Sequence, residues 1–178
     1  TPVKTISRKT DMFGDQIGDS RNIVSSTVSA DARPDEVVMY STPSMSGAQV
    51  NIMAQLGDGV TEGSGAGMIS ASGTYKMGKE LYVGAGYEMM SDKMTGGESQ
   101  SIIRAGAKYN MGAISVAALF QMTTNEGGVK DFGRMYYGAG ASYKMGKTML
   151  KAQYYGVGEY DDAPDTGGGL IAVGADQK

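Results

Sequence analysis

The sequence predicts an all-β protein whose antiparallel strands belong to a transmembrane β-barrel, and three observations lead to that prediction. Apolar and polar side chains alternate through successive segments of about ten residues, the length of a tilted strand that crosses a bilayer. Short turns recur at a constant spacing, with their glycines at Gly78, Gly112 and Gly146. The longest apolar runs are far shorter than the roughly 18 residues that a transmembrane helix requires.

The composition excludes most catalytic and metal-binding chemistry. The 178 residues contain no cysteine and no histidine, so thiolate nucleophiles, disulfides and the commonest general base and metal ligand are all missing. We therefore predict no catalytic residues, no bound metal and no cofactor. The net charge of -3 gives no basis for nucleic-acid binding. The 28 glycines and 11 tyrosines suit twisted strands that carry aromatic side chains near their ends.

The first element of the chain, residues 1–35, differs from the rest because it does not alternate and carries mixed charges. A loop of this size within a barrel usually has a function, so we predict an inward-folded loop region here. No signal-peptide pattern opens the chain, and we expect that further sequence precedes it.

Residues 36–178 are predicted to form about nine antiparallel strands of a single barrel domain. In the segment 48–56, Ala48, Val50 and Ile52 alternate with Gln49 and Asn51, so one face is apolar and the other polar. The predicted strands span residues 36–42, 48–56, 68–76, 80–90, 100–110, 113–123, 133–144, 148–158 and 169–178. Bacterial barrels usually have an even number of strands and no free edge, so we expect further strands on both sides.

The turns between these strands are of two kinds. Three share the pattern Tyr-x-Met-Gly, at residues 75–79, 109–113 and 143–147, and residues 44–47 form a looser copy. Glycine suits the positive φ of a tight turn. Longer polar loops follow the other strand ends, as expected for a barrel with short periplasmic turns and longer external loops. A helical repeat of similar period is disfavoured by the density of glycine.

Aromatic side chains are predicted to form girdles at the two rims of the barrel. Tyr40, Tyr75, Tyr109 and Tyr143 lie close to the tight turns, whereas Phe120 lies towards the opposite end of its strand. Amphipathic rings favour the boundary between membrane and water. A soluble all-β module also has one apolar face, but it would place its aromatic side chains in mid-strand. The two bands therefore favour the barrel.

A resemblance to a known family is carried by Thr1-Pro2, by residues 11–15 and by residues 36–47. The first two segments resemble the constriction-loop region of Gram-negative general porins. The third is similar to the family's strand that enters a Pro-containing turn, although Thr42-Pro43 stands where Ser-Pro is usual. The resemblance covers essentially the whole chain. It implies a sixteen-stranded barrel, a homotrimer, and a third external loop that narrows the lumen, with about the sixth to fourteenth strands present here.

The charged residues predict a pore constriction with an acidic and a basic side. Asp11, Asp15 and Asp19 are spaced so that they would share one face of a helical turn in the inward loop. The predicted basic residues that line the pore are Arg8, Arg21, Arg104, Lys108, Arg134 and Lys151. Opposed charges would create a transverse field that orients dipolar solutes. The alternative is that Arg8, Arg21 and the aspartates pair with each other to hold the loop against the wall.

The predicted function is passive diffusion of small hydrophilic solutes and ions across the bacterial outer membrane, without enzymatic activity. The predicted surroundings are the lipid bilayer and lipopolysaccharide, and no nucleic acid is expected. The alternative is a barrel that acts mainly in surface binding or adhesion through its external loops. Those loops are only about ten residues long, which favours the channel. The acidic segment 160–165 lacks the spacing of a dedicated calcium loop and is predicted to be a solvated loop.

Overall fold

A meander of antiparallel strands forms the body of the molecule. The computed structural model describes residues 1–24, 33–56, 66–161 and 163–177. In these residues, nine strands form one sheet in which each strand pairs with the next along the chain. Their bounds are β1 Val37–Ser41, β2 Ala48–Leu56, β3 Ala66–Met77, β4 Leu81–Met90, β5 Gln100–Met111, β6 Ile114–Thr124, β7 Arg134–Met145, β8 Thr148–Val157 and β9 Gly168–Gln177. The predicted all-β antiparallel architecture is confirmed.

Three short helices and one 3-10 turn accompany the sheet. They are α1 Pro2–Thr10, α2 Arg21–Val24, α3 Asp92–Thr95 and the 3-10 turn Glu126–Gly128. Among the residues that the structure describes, none of these helices has the length and apolar character needed to cross a membrane. The predicted loop at residues 57–67 lies mostly outside the described residues.

The tight turns join strands in uninterrupted register. Met77 pairs with Leu81, Met111 with Ile114, and Met145 with Thr148, so each hairpin closes directly at its Tyr-x-Met-Gly segment. The glycine of each turn has a positive φ, between 55° and 62°. Residues with a Cβ adopt this conformation only at a cost, which explains why glycine recurs there.

The two faces of the sheet differ as the alternation predicts. Along β6, Ile114, Val116 and Phe120 are exposed on one face, whereas Leu119 and Gln121 are buried on the other. Large apolar side chains remain exposed on the same face along the strands from β2 to β9, whereas β1 is exposed on both faces. Soluble monomers rarely expose apolar surface of this extent. The apolar face is therefore the lipid-facing side of a barrel wall.

Helix α1 lies across the inner, polar face of the sheet and packs on β3 to β6. Val3, Ile6 and Thr10 are fully buried against the strands, and Thr1 caps the helix by accepting a hydrogen bond from the Lys4 N–H. Gly106 makes room for it, because a Cβ there would lie 2.9 Å from Thr10 Cγ2. A helix over residues 2–10 was not predicted from the sequence.

The prediction that Asp11, Asp15 and Asp19 share a helical face is wrong. Helix α1 ends at Thr10, and Asp11, at its C-cap, has an extended backbone with φ -67° and ψ 133°. Gly14 then takes a positive φ of 60°, which turns the chain. Residues 11–20 therefore form successive turns. The three carboxylates come together through tertiary contacts instead, because Asp11 and Asp19 are hydrogen-bonded and Arg21 bridges Asp15 and Asp19.

Candidate pore constriction

Residues 1–24 run along the inside of the sheet, from β3 at one side to β9 at the other. Helix α1 covers the first strands, and the turns that follow it reach β8 and β9. Phe13 packs against Ala172 in a small buried cluster, and it approaches Gly174 closely enough to exclude a side chain there. The segment is thus fastened to the inner wall at both of its ends.

Asp11 organises the turns that follow the helix. Its carboxylate accepts hydrogen bonds from the Phe13 N–H, from the Ser20 N–H and from the Ser20 hydroxyl, each at 2.8 Å. Burial would raise the pKa of Asp11, but the hydrogen bond with the Asp19 side chain, together with those from Phe13 and Ser20, outweighs burial and lowers the pKa. Asp11 therefore stays ionised and closes the loop rather than facing the lumen.

Asp15 and Asp19 are paired with arginines of the same segment. Arg8 Nη2 lies 2.8 Å from Asp15 Oδ1, and Arg21 Nη2 lies 2.7 Å from the same oxygen. Arg21 Nε also donates to Asp19 Oδ2 at 2.6 Å. Asp15 is largely exposed, with 69% of its side chain accessible, whereas Asp19 is buried. The loop therefore supplies its own counter-charges.

The pKa values of the two paired aspartates are shifted in opposite directions. The hydrogen bond from Arg8 holds the pKa of Asp15 below its ordinary value. Burial, together with the neighbouring Asp11 carboxylate, raises the pKa of Asp19 despite its bonds to Arg21. On acidification, Asp19 is therefore the first of the two to take up a proton.

Arg104 on β5 lies beneath α1 and is fully buried. Its guanidinium donates to the Val3 carbonyl at 3.3 Å, to Ser7 Oγ at 2.9 Å, and to Gln121 Oε1 from both Nε and Nη2. The buried Glu88 carboxylate on β4 also attracts it electrostatically. The structure thus places Arg104 between the helix and the wall, where it anchors the loop.

Lys151 and Gln153 on β8 hold the other end of the loop. Lys151 Nζ lies 2.7 Å from Asp176 Oδ2 and donates to Gln16 Oε1, while the Phe13 ring lies 4.9 Å away. Gln153 accepts from the Met12 N–H at 3.0 Å and donates to the Gly18 carbonyl at 2.6 Å. Lys151 is buried in these contacts.

Arg134 lies near the loop end of β7, away from the constriction segment. It forms a buried ion pair of 2.8 Å with Glu126, and its guanidinium stacks over the Tyr160 ring at 4.1 Å. Tyr160 in turn stacks on Phe132, with ring centroids 3.6 Å apart. The structure places Arg134 in a cluster that ties two outer loops together.

Lys108 is half-buried on β5 and lines an open cavity. The cavity has a volume of about 260 Å³ and lies at the tight-turn end of the inner face. Lys9, Lys76 and Lys79 line it as well. The structure thus brings Lys108 together with three lysines that sequence reasoning had not selected as pore residues.

The predicted girdle residues lie on the exposed outer face. Tyr40, Tyr75, Tyr109 and Tyr143 are exposed near the tight turns. Phe120 is exposed further along β6, opposite Tyr137 of β7. This arrangement leaves two aromatic bands on the apolar side of the wall.

Three residues of the site were missed from the sequence, namely Glu88, Gln121 and Gln153. Each is a large polar residue at an inward position of a strand whose other face is apolar, and that alternation is the signal that could have found them. In the described part of the chain, no three acidic, histidine or cysteine side chains converge as metal ligands. Asp162, which belongs to the predicted acidic loop, lies outside the described residues.

Comparisons with known proteins agree on one family. The family model for Gram-negative porins matches residues 1–178. The anion-selective porin from Comamonas acidovorans superposes with a TM-score of 0.69 at 24% sequence identity, over 82% of this chain and 45% of that one. At this identity the likeness shows the fold alone, and the chain spans about half the length of that porin. A search of curated proteins found no match. The chain belongs to the Gram-negative porin family.

Proposed function

We propose that the protein of which this chain is part is a passive, water-filled channel for small hydrophilic solutes and ions in the bacterial outer membrane. The observation that carries the proposal is the fastening of residues 1–24 to the inner face of the sheet through Arg104, Lys151 and Gln153. A loop that is fixed inside a barrel narrows the lumen to a defined opening, and such an opening selects solutes by size and charge.

The charges along the loop support selection by charge as well as by size. Asp15 is exposed beside Arg8 and Arg21, so acidic and basic groups adjoin on the inner loop. Lys108 and its neighbouring lysines add positive charge to the inner wall. We propose a net preference for anions, which agrees with the anion selectivity of the structural neighbour from Comamonas acidovorans.

The assembly and the surroundings are part of the same proposal. Porin family membership supports a homotrimer embedded in the outer membrane, in contact with lipopolysaccharide in the outer leaflet. The exposed apolar face with its two aromatic bands supports contact with lipid. No feature of the described residues favours a role mainly in surface adhesion.

The test is single-channel conductance of the full-length protein in planar bilayers, with the reversal potential measured under a salt gradient. Stepwise conductance in groups of three, with a reversal potential of the sign expected for anions, supports the proposal. A correctly folded, detergent-extracted trimer that gives no conductance would refute the channel and favour surface binding through the external loops.

A further inference from the structure

Four lysines converge on the inner face at the tight-turn end of the sheet. Lys9 comes from α1, Lys76 and Lys79 from the β3–β4 turn, and Lys108 from β5, and together they line the cavity of about 260 Å³. We call this group the lysine cavity. It adjoins a second cavity of about 460 Å³, which shares Lys9 and Lys76 and adds Arg33. Both open to the inner side of the wall.

The lysines of this cavity differ from Arg8, Arg21, Arg134 and Lys151 in forming no ion pair, although Asp11, which lies outside the cavity lining, attracts Lys108 electrostatically. Arg8, Arg21, Arg134 and Lys151 each form an ion pair. By contrast, no aspartate or glutamate is among the described residues that line either cavity. None of the four lysines forms an ion pair with another described residue.

The cluster concentrates positive charge on one part of the inner face. Lys9 and Lys108 repel each other, and the attraction of Asp11 for Lys108 offsets this repulsion. The chain as a whole has a net charge of -3, so the cluster is not a consequence of a generally basic composition. Like charges that share a cleft with low-dielectric walls raise the local concentration of counter-ions. Each ammonium offers three N–H donors and no acceptor, which suits the oxygens of a phosphate or carboxylate group.

We propose that the lysine cavity is a binding site for multivalent oxyanions at the tight-turn end of the pore. The proposal rests on the channel function and extends it, because it assigns a solute class and a position along the path. The lysines lie on the inner face, opposite the exposed apolar face that carries Tyr75 and Tyr109. The occupant is therefore a solute of the lumen rather than a lipid headgroup.

The chain contains a matched control for this proposal. The segments 75–79 and 143–147 have the same sequence, Tyr-Lys-Met-Gly-Lys, and both form tight turns. All four lysines of these turns are exposed, but Lys76 and Lys79 line the lysine cavity, whereas Lys144 and Lys147 line neither cavity. Two double variants, K76Q/K79Q and K144Q/K147Q, therefore remove the same charge from the same turn at two different places.

The experiment uses the full-length protein in planar bilayers in potassium chloride, with inorganic tripolyphosphate added to each side in turn. We expect tripolyphosphate to block the current reversibly. K76Q/K79Q should raise the dissociation constant of this block by about tenfold, and K144Q/K147Q should raise it by less than about twofold. A parallel titration with citrate distinguishes phosphate from carboxylate as the bound group. Trimer mobility on gels, before and after heating, verifies that both variants fold.

Calorimetric titration of the detergent-solubilised trimer with tripolyphosphate separates this inference from the channel itself. The site is supported, even if the protein does not conduct, when K76Q/K79Q weakens the binding of tripolyphosphate and K144Q/K147Q leaves it unchanged. A conducting protein that tripolyphosphate neither blocks nor binds would overturn the site and leave the channel function standing. An equal loss in both double variants would also overturn it, because the effect would then arise from overall charge.

Discussion

At the scale of single residues, buried charge decides where the inner loop lies. Arg104 has no exposed surface, yet it contacts a helix carbonyl, a helix hydroxyl and Gln121 on the neighbouring strand. Hydrogen bonds to charged groups contribute more than those between neutral groups, and a buried donor without a partner is costly. Arg104 therefore fixes α1 on the wall more firmly than the apolar contacts of Val3 and Ile6 would alone.

Replacement of this arginine should release the helix. We expect R104M to lower the free energy of unfolding by roughly 2–4 kcal/mol, because Ser7, Gln121 and Glu88 lose their shared partner. Thermal unfolding of the trimer in detergent measures the change. The control is K130M, which removes an equal charge from an exposed outer-loop position. Equal stability of the two variants would contradict an anchoring role for Arg104.

Asp15 should control the charge preference of the constriction. In D15N, Arg8 loses its carboxylate partner and Arg21 keeps only Asp19, so positive charge is freed beside the opening. We expect the permeability ratio of anions to cations to increase by a factor of about two. The reversal potential under a salt gradient checks this, with E98Q in an outer loop as the charge-matched control. A shift towards cations would be inconsistent with this geometry.

The opposite pKa shifts of Asp15 and Asp19 predict a pH-dependent selectivity. The pKa of Asp19 is raised by burial and by the neighbouring Asp11, so Asp19 accepts a proton at a pH above its ordinary pKa of 3.8. Asp15, whose pKa is lowered, is still ionised at that point. As the pH falls, Arg21 therefore loses one counter-charge first, and anion preference should increase. D19N should abolish this step, and a step of unchanged size in D19N would refute the assignment.

At the scale of elements, the hairpins are the units that the sequence specifies most directly. Every tight turn contains a glycine with positive φ, and the strands beyond it keep uninterrupted register over about ten residue pairs. The turn before β2 has a further constraint, because Gly47 also approaches the backbone of β3. A Cβ on Gly47 would lie 2.1 Å from the Lys76 carbonyl oxygen. Any side chain at position 47 would therefore collide with the backbone of β3.

Two glycine substitutions should separate backbone conformation from close approach. In G112A, with a φ of 62° and no atom near the added Cβ, only conformational strain of about 1–2 kcal/mol is expected. In G47A the added methyl group also collides with the β3 backbone, so the loss should exceed that of G112A by at least about 2 kcal/mol. Folding yield and thermal stability in detergent compare the two. Similar losses would show that the approach of β3 is unimportant.

At the scale of the whole molecule, the described sheet is open. Strands β1 and β9 each pair with a single neighbour, and nothing in the described residues joins them to one another. Lipid cannot satisfy the hydrogen bonds of a free strand edge. The region of the Comamonas acidovorans porin that matches this chain is less than half of that porin.

The open edges predict that this chain does not act as a pore alone. We expect that residues 1–178, refolded into liposomes, leave the vesicles impermeable to chloride, whereas the full-length protein makes them permeable. The physical reason is the cost of exposing unpaired N–H and C=O groups at β1 and β9 to hydrocarbon. Stepwise conductance from this chain would contradict the expectation and would indicate that copies pair through their edges.

The sequence by itself determined the strands, their two faces and the positions of the turns. These features follow from local rules, since alternation depends on the period of a strand and tight turns depend on glycine. Ala48, Val50 and Ile52 illustrate this, because their alternation with polar residues indicates a strand with one apolar face without any knowledge of its neighbours. The aromatic bands follow in the same way, once the strand ends are known.

Only the tertiary structure decided the geometry of the constriction. Helix α1 spans nine residues, and helices of that length have little stability in water, so it depends on burial of Val3 and Ile6 against strands far along the chain. Arg104 becomes an anchor, and Lys108 part of a cavity, only when the loop lies across β5. Their roles depend on contacts between residues about one hundred positions apart, which no local pattern records.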